Sequence, residues 1–318
     1  MSKKISFAGE SLKFDEWIEP GYDKANKIIG GEKSDTEPRD RRLFFQSFGS
    51  GSSGNSCYLG TPDGGILIDA GVRDDTVETM LRSNGIRMER VKGILLTHDH
   101  NDHVKYAYKL LRNNKHIKLF CTNRVLNGML RHHNVSNRIK DYHIPIFKEI
   151  PFKIGEFEAT AFEVPHDGTD NMGFSISFAG RNFVLATDMG EVSARAHHYI
   201  SQANYLVVEA NYDKRMLLNG RYPEYLKARI VTERGHMDNV ETAKLLMDVI
   251  HPGLSHIFLC HLSKENNTPE KAESVVREAL EGMGKKVGEG EETLEDRQAD
   301  VQLIVLPRLE PTRLYVFR

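Results

Sequence analysis

From Leu43 onward the chain alternates short apolar runs with turn residues. "LFFQSF", "CYLG", "GGILIDAG" and "VKGILLTH" are rich in Ile, Leu, Phe and Val and are separated by Gly, Ser and Asp. That pattern predicts strands of one sheet system. Further strands are predicted in "FKIGEFEATAFEV", "GFSISFAG", "RNFVLATD", "NYLVVEA", "SHIFLCH", "VQLIVLP" and the closing "RLYVFR". The alternation in "GFSISFAGRNFVLATD" predicts a hairpin that turns at Gly180 and Arg181. A helical period appears over Asp74 to Ser83, Asp102 to Arg112, Val240 to Ile250 and Pro269 to Gly282, the third with Asp238 or Asn239 as N-cap. Strands and helices therefore interleave from residue 43 to the end, an α/β pattern. It fits two sheets packed face to face with helices outside, and periodicity alone also fits other mixed folds.

Residues 1–42 are polar, contain "GGEKSDTEPRDRR" and keep neither a period of 2 nor one of 3.6. They read as an N-terminal extension or arm, and residues 43–318 as one domain. The 318 residues, 39% hydrophobic and 28% charged, suffice for a sizeable core. No apolar stretch approaches the roughly 20 residues that span a bilayer, and the N-terminus lacks the apolar core of a secretory signal. No membrane association is expected, and a cytoplasmic location is. Cys57, Cys121 and Cys260 lack CxxC spacing, so neither a disulfide framework nor a cysteine-rich zinc site is indicated.

The chemistry concentrates in "THDHNDH", residues 97–103, directly after the predicted strand "VKGILL". In an extended segment His98, His100 and Asp102 project to one side, and a turn into helix at Asp102 redirects His103. Imidazole suits Zn and Fe, and carboxylate suits harder ions such as Mn. His166 in "FEVPHDG", Asp188 in "VLATDMG" and His261 in "IFLCHLS" recur at the same kind of place, the end of an apolar strand. Taken singly, each also reads as a loop, turn or strand-end residue. Together the seven furnish two sites for divalent ions. His98, His100 and His166 would hold one, Asp102, His103 and His261 the other, with Asp188 between them. Two ions about 3.5 to 4 Å apart hold a shared hydroxide and clamp both oxygens of an in-line displacement.

This order, HxHxDH followed by His, Asp and His at strand ends, resembles the metallo-β-lactamase superfamily over residues 43–318. "SFGSGSSGNSCYL", "ILIDAG", "VVEANYD", "RGHMDN" and "HLSKENNTPE" resemble its WalJ/YycJ-like branch, whose members are regarded as DNA exonucleases and share a core with RNase Z. The resemblance implies a four-layer αββα sandwich, two metal ions and phosphodiester hydrolysis. It also implies that His236, just before a predicted helix start, contacts the scissile phosphate or assists the leaving group. Asp102, Asp188 and His236 are then the expected catalytic residues.

Around them, Asp69 at the end of "ILID" is placed to accept a ligand histidine's second ring N–H. Ser52 and Asn55 in "GSGSSGN" offer a hydroxyl and amide lining for phosphate, or a tight inter-strand turn. Ser263, Asn266 and Asn267 lie beside His261, Asn211 follows a strand toward the cleft, and Glu209 is a candidate supporting acid.

Net charge is −2, yet Lys105, Lys109, Arg112, Lys115, Lys118, Arg124, Arg131, Arg138 and Lys140 fall in a stretch with no Asp or Glu. A one-signed run beside the metal motif would draw in a phosphate backbone; acids from elsewhere could equally neutralise it. The expected substrate is a nucleic acid, DNA by resemblance. The alternatives are an RNase Z-like ribonuclease, a hydrolase of a cyclic phosphodiester, lactone or thioester, and a metal-bearing module without turnover. The sequence selects neither the metal among Zn, Mn and Fe nor an oligomeric state.

Overall fold

The computed structural model describes residues 41–317 except Glu292, so the expected arm lies outside the described residues but for Arg41 and Arg42. The strands are β1 Leu43–Gly49, β2 Ser56–Thr61, β3 Gly64–Ile68, β4 Val91–Leu95, β5 Lys118–Cys121 and β6 His143–Pro145. They continue as β7 Phe152–Ile154, β8 Phe157–Glu163, β9 Met172–Phe178, β10 Arg181–Ala186, β11 Tyr205–Glu209 and β12 His256–Cys260. β13 Val287–Gly288, β14 Val301–Val305 and β15 Tyr315–Phe317 complete the set. One sheet has the order β15-β1-β2-β3-β4-β5-β6, the other β13-β14-β12-β11-β10-β9-β8-β7. The helices are α1 Asp74–Ser83, α2 Asn101–Val104, α3 Ala107–Asn113, α4 Asn123–His132, α5 Ala194–Ile200, α6 Lys214–Asn219, α7 Glu224–Ile230, α8 Asn239–Val249 and α9 Pro269–Gly282.

The period of two along the central strands explains the layering. Phe183 and Leu185, Tyr205 and Val207, and Phe258 and Cys260 point into the core shared with the first sheet. Their neighbours Val184 and Ala186, Leu206 and Val208, and Ile257 and Leu259 join a second core against Ala196, Leu246 and Val276 of α5, α8 and α9. Strands buried on both faces read as continuous apolar runs. Between the sheets Phe45 of β1 packs against Phe258 at 4.7 Å and Phe183 at 5.2 Å between ring centroids. The four-layer αββα sandwich expected from the sequence is the fold observed.

Local expectations shifted in two places. The hairpin turns at Ala179 and Gly180, both with positive φ (51° and 77°), because β10 begins at Arg181 paired to Phe178. The helix expected over Asp102 to Arg112 is broken: α2 ends at Val104 and α3 restarts at Ala107. The break has a cause, since the Tyr106 N–H donates to the Ala70 carbonyl at 2.8 Å, tying the ligand segment to the end of β3. Of the two predicted caps for α8 it is Asp238 that acts, its Oδ1 accepting from the N–H groups of Val240 (2.7 Å) and Glu241 (2.9 Å).

In the second sheet β8, β10, β11 and β12 run the same way, and in the first β3 and β4 do, so their carboxyl ends can carry a common site. Replacing Phe45 by Ala empties the centre of the inter-sheet core. It is expected to lower the unfolding free energy in urea by about 3–5 kcal/mol; a loss under about 1 kcal/mol would mean that the sheets are not held through this cluster.

Candidate metal centre

Most of the candidate ligands enter from a strand's carboxyl end, while His236 comes from the segment before α8. β4 leads into His98, His100, Asp102 and His103, β8 into His166, β10 into Asp188 and β12 into His261, while β3 and β11 bring Asp69 and Glu209. Three of these, Asp69 (φ 60°), Asp188 (47°) and His261 (55°), adopt the left-handed conformation that costs a non-glycine residue about 1–3 kcal/mol. The bend turns each side chain off its strand toward the centre. Their neighbours fix it: the His261 N–H donates to Ser50 Oγ at 2.9 Å and the Asp69 N–H to the Leu95 carbonyl at 2.8 Å.

Three ligand groupings result, with candidate atoms within 4.8 Å of one another: His98, His100, His166 and Asp188; Asp102, His103 and His261; and Asp188, His236 and His261. Asp188 Oδ2 lies 3.6 Å from His98 Nε2, 3.7 Å from His166 Nε2 and 3.4 Å from His103 Nε2, so one carboxylate faces two of the groups.

Five of the six imidazoles share an orientation; His100 differs, its Nδ1 lying 3.3 Å from His166 Nε2. His103 donates from Nδ1 to Asp69 at 2.7 Å, His166 to the Gly235 carbonyl at 2.9 Å, and His261 and His236 to Glu209 Oε1 at 2.9 and 2.7 Å. Thr97 Oγ1 donates to Asp69 (2.9 Å) and accepts from His98 Nδ1 (3.0 Å). With Nδ1 engaged, each ring is left with Nε2 for another partner, which is how an outer acceptor sets a ligand tautomer. His98 Nε2 and His261 Nε2 are buried without a hydrogen-bond partner among the described residues. A buried unsatisfied nitrogen is costly, and a cation there would satisfy it, so these residues fit divalent metal.

The charge balance agrees. Burial pushes the His98 imidazole well down and His166 to about 4. Burial also opposes charge on His103 and His261, yet Asp188 and the surrounding carboxylates raise both, His261 to about 10. Glu209 is fully buried, but His236 and His261 outweigh its desolvation and hold it near 2. The cluster thus has an excess of carboxylate that draws cations, either protons or metal.

Asp69, singled out at the end of "ILID", accepts from His103 Nδ1 at 2.7 Å and from Thr97 Oγ1 at 2.9 Å. Asn55 donates to Asp102 Oδ2 (3.1 Å) and lies 2.9 Å from His103 Nε2, at the atoms a cation would take. Ser52 is exposed on its turn, while Ser50 of the same loop is the residue that reaches His261. Ser263, Asn266 and Asn267 are buried and brace the loop: Ser263 N–H donates to the Asn211 carbonyl, and Asn267 Nδ2 to the Ala210 (2.9 Å) and Asn211 (3.1 Å) carbonyls. Asn211 itself donates to the His261 carbonyl at 2.7 Å.

Sequence reasoning missed Thr97, Asp167 and Arg229. Asp167 Oδ1 lies 3.4 Å from His100 Nε2, and Oδ2 accepts from Arg229 Nε at 2.6 Å. Nothing local marks that pair, since 62 residues separate its members, although "HD" at 166–167 follows a strand as His98–Asp99 does. Asp167, Arg229, Asp99, Thr169, His132 and His133 help line a cleft of about 450 Å³ over His100 and Asp102. In the basic stretch Lys109 pairs with Asp74 at 2.7 Å. Among the described residues no ion pair engages Arg112, Lys115, Arg124, Arg131, Arg138 or Lys140.

A two-sheet αββα sandwich with this His/Asp constellation at its strand ends defines a metal-dependent hydrolase. The chain belongs to the β-lactamase superfamily: the family model described as "Beta-lactamase superfamily domain" matches residues 65–261. It is 35% identical over 253 residues to exodeoxyribonuclease YycJ of Bacillus anthracis, covering 78% of this chain and 92% of that one. It is 31% identical over 229 residues to exodeoxyribonuclease WalJ of Streptococcus pneumoniae, covering 72% and 84%. These two matches place it in the WalJ/YycJ-like branch. Among solved structures, the metallo-β-lactamase fold protein YhfI of Bacillus subtilis superposes with a TM-score of 0.61 at 13% identity, over 87% of this chain and all (100%) of that one.

Asp69→Asn removes the acceptor that orients His103 and, through Thr97, His98. Metal affinity, measured by competition with a chromophoric chelator, is expected to fall about 10–100-fold; an unchanged value would show that Asp69 does not tune the ligands. Because His103 and His261 must lose protons to bind metal, uptake near neutral pH is expected to release protons and to weaken as pH falls. Calorimetry in buffers of different ionisation enthalpy checks this, and a buffer-independent heat would contradict it.

Proposed function

We propose that residues 43–318 act as one domain, a phosphodiesterase with two divalent ions whose substrate is nucleic acid, most simply as a DNA exonuclease. The observation that carries this is the cleft over His100 and Asp102, with Arg124, which reaches the Thr169 carbonyl of its lining, and Arg131, next to His132, in no ion pair among the described residues. The names of the YycJ and WalJ relatives supply the choice of DNA and of exonucleolytic cleavage. A small neutral ester would gain nothing from the cations.

His98, His100 and His166 would hold one ion and Asp102, His103 and His261 the other, with Asp188 shared; Zn, Mn and Fe all suit this N and O set. Bound there, such ions supply an activated water and positive charge for the phosphoryl oxygens. Asp188, buried between the groups, orients the attacking water toward phosphorus. Asp102 holds the opposite side of the cluster, 3.5 Å from His261.

His236 lies outside the ligand division and is partly exposed. Burial disfavours its charged form, but Glu209 outweighs this and raises its pKa. With Nδ1 held by Glu209, its other nitrogen can pass a proton to the departing oxygen. The buried free thiols of Cys57, Cys121 and Cys260 suit a reducing cytoplasm. Among the described residues no helix is long and apolar enough to cross a membrane.

The direct test is digestion of end-labelled double-stranded DNA, single-stranded DNA and RNA by protein loaded with Mn or Zn, with Asp102→Ala as control. Progressive shortening of DNA that vanishes in the variant is the expected result. Cleavage of RNA alone would mark a ribonuclease, and no cleavage of any polymer would point to small phosphodiesters, lactones or thioesters. His236→Ala is expected to keep its metal and lose at least about 100-fold in kcat; full turnover would remove His236 from the reaction.

A further inference from the structure

The helix α4 forms one wall of the cleft, and its contacts are unusual. Gly128, in its middle, packs so closely on the metal motif that a Cβ there would come within 2.0 Å of Asp99 Oδ2 and 2.7 Å of Thr169 Oγ1. Arg124, near the start, donates from Nη2 to the Thr169 carbonyl at 3.0 Å, and His133, just past the end, donates from Nε2 to the Asp99 carbonyl at 2.6 Å. The helix is therefore held along its length against residues that line the cleft.

Val125, Leu126 and Met129 bury the inner face. The outer face presents Arg124, Asn127 and Arg131, at i, i+3 and i+7, all exposed. Arg124 and Arg131 are then about 10.5 Å apart along the axis. Neither is in an ion pair among the described residues, and the first turn of α4 carries no acid. The helix dipole favours Arg131 in the last turn but opposes Arg124 in the first, so the dipole does not account for the row.

We propose that this row, Arg124–Asn127–Arg131, is the surface along which a nucleic acid backbone is held beside the cleft. It would fix the chain flanking the scissile bond through phosphate contacts that are blind to sequence. The inference rests on the nucleic-acid reading above and adds the residues that carry it. Asn127 stands between the two arginines on the same face, so a cation there would extend the row.

The test measures binding of a fluorescent, phosphorothioate-linked DNA duplex by anisotropy across a salt series, using the full metal-loaded chain. Asn127→Lys is expected to tighten binding several-fold and to steepen the slope of log K against log salt by about 1. Arg131→Glu is expected to weaken binding at least tenfold and flatten that slope. Metal content and melting temperature control for folding; because Asn127 is exposed, its variant carries the test if Arg131→Glu does not fold. Wild-type binding and cleavage of DNA with both variant slopes unaltered would overturn the α4 surface and leave the nuclease reading standing. Failure of the wild-type chain to bind or to cleave either DNA or RNA would overturn both.

Discussion

Asp69, Asp102, Asp188 and Glu209 bring their carboxylates together with six imidazoles in a largely buried space at the strand ends, and the rest of the site follows from that concentration of charge. Carboxylates in such surroundings stay ionised only if positive charge and hydrogen-bond donors surround them. Protons on His103, His236 and His261 provide some of this, and divalent ions would provide more. Asp69 and Glu209 sit behind the imidazoles and accept hydrogen bonds from Nδ1, directly or through Thr97, which leaves Nε2 directed at the centre. Positioning and electrostatics are thus the work of the same two acids.

Holding that arrangement carries a conformational cost. Among the described residues, three of the five non-glycine positions with positive φ are Asp69, Asp188 and His261. The sandwich supplies the rigidity that sustains them. Strands buried on both faces cannot slide, since a one-residue slip would exchange the apolar sets of Phe183 and Val184 between the two cores. Gly71 shows how little slack remains: a Cβ there would lie 1.5 Å from the Asp102 carbonyl oxygen. The loop from Ser50 to Asn55 is best understood in the same terms, as a brace under Asp102 and His261.

Much of this was visible in the residues themselves. The short apolar and alternating runs located β1 to β4, β8 to β12, β14 and β15, and the ligand types after them stood out because each followed an apolar run. Elements whose local pattern is weak were missed. α4 carries glycine and several cations, and β5 and β6 are only 4 and 3 residues long. The hairpin turn and the end of α2 moved because partners far along the chain, such as the Ala70 carbonyl, decide where a backbone donor goes.

What the sequence determined by itself was periodicity and chemical type: which segments alternate, which strand ends carry imidazole or carboxylate, and where charge of one sign accumulates. These are local properties, and local sterics and hydrophobicity suffice to read them. Which nitrogen of each histidine is tied, that Asp167 meets Arg229, that Glu209 serves two histidines and that α4 lies against Asp99 were decided by tertiary structure alone. Each joins residues distant in the chain, and only the packing of two sheets, which fixes strand ends to within a hydrogen bond's length, brings such partners together.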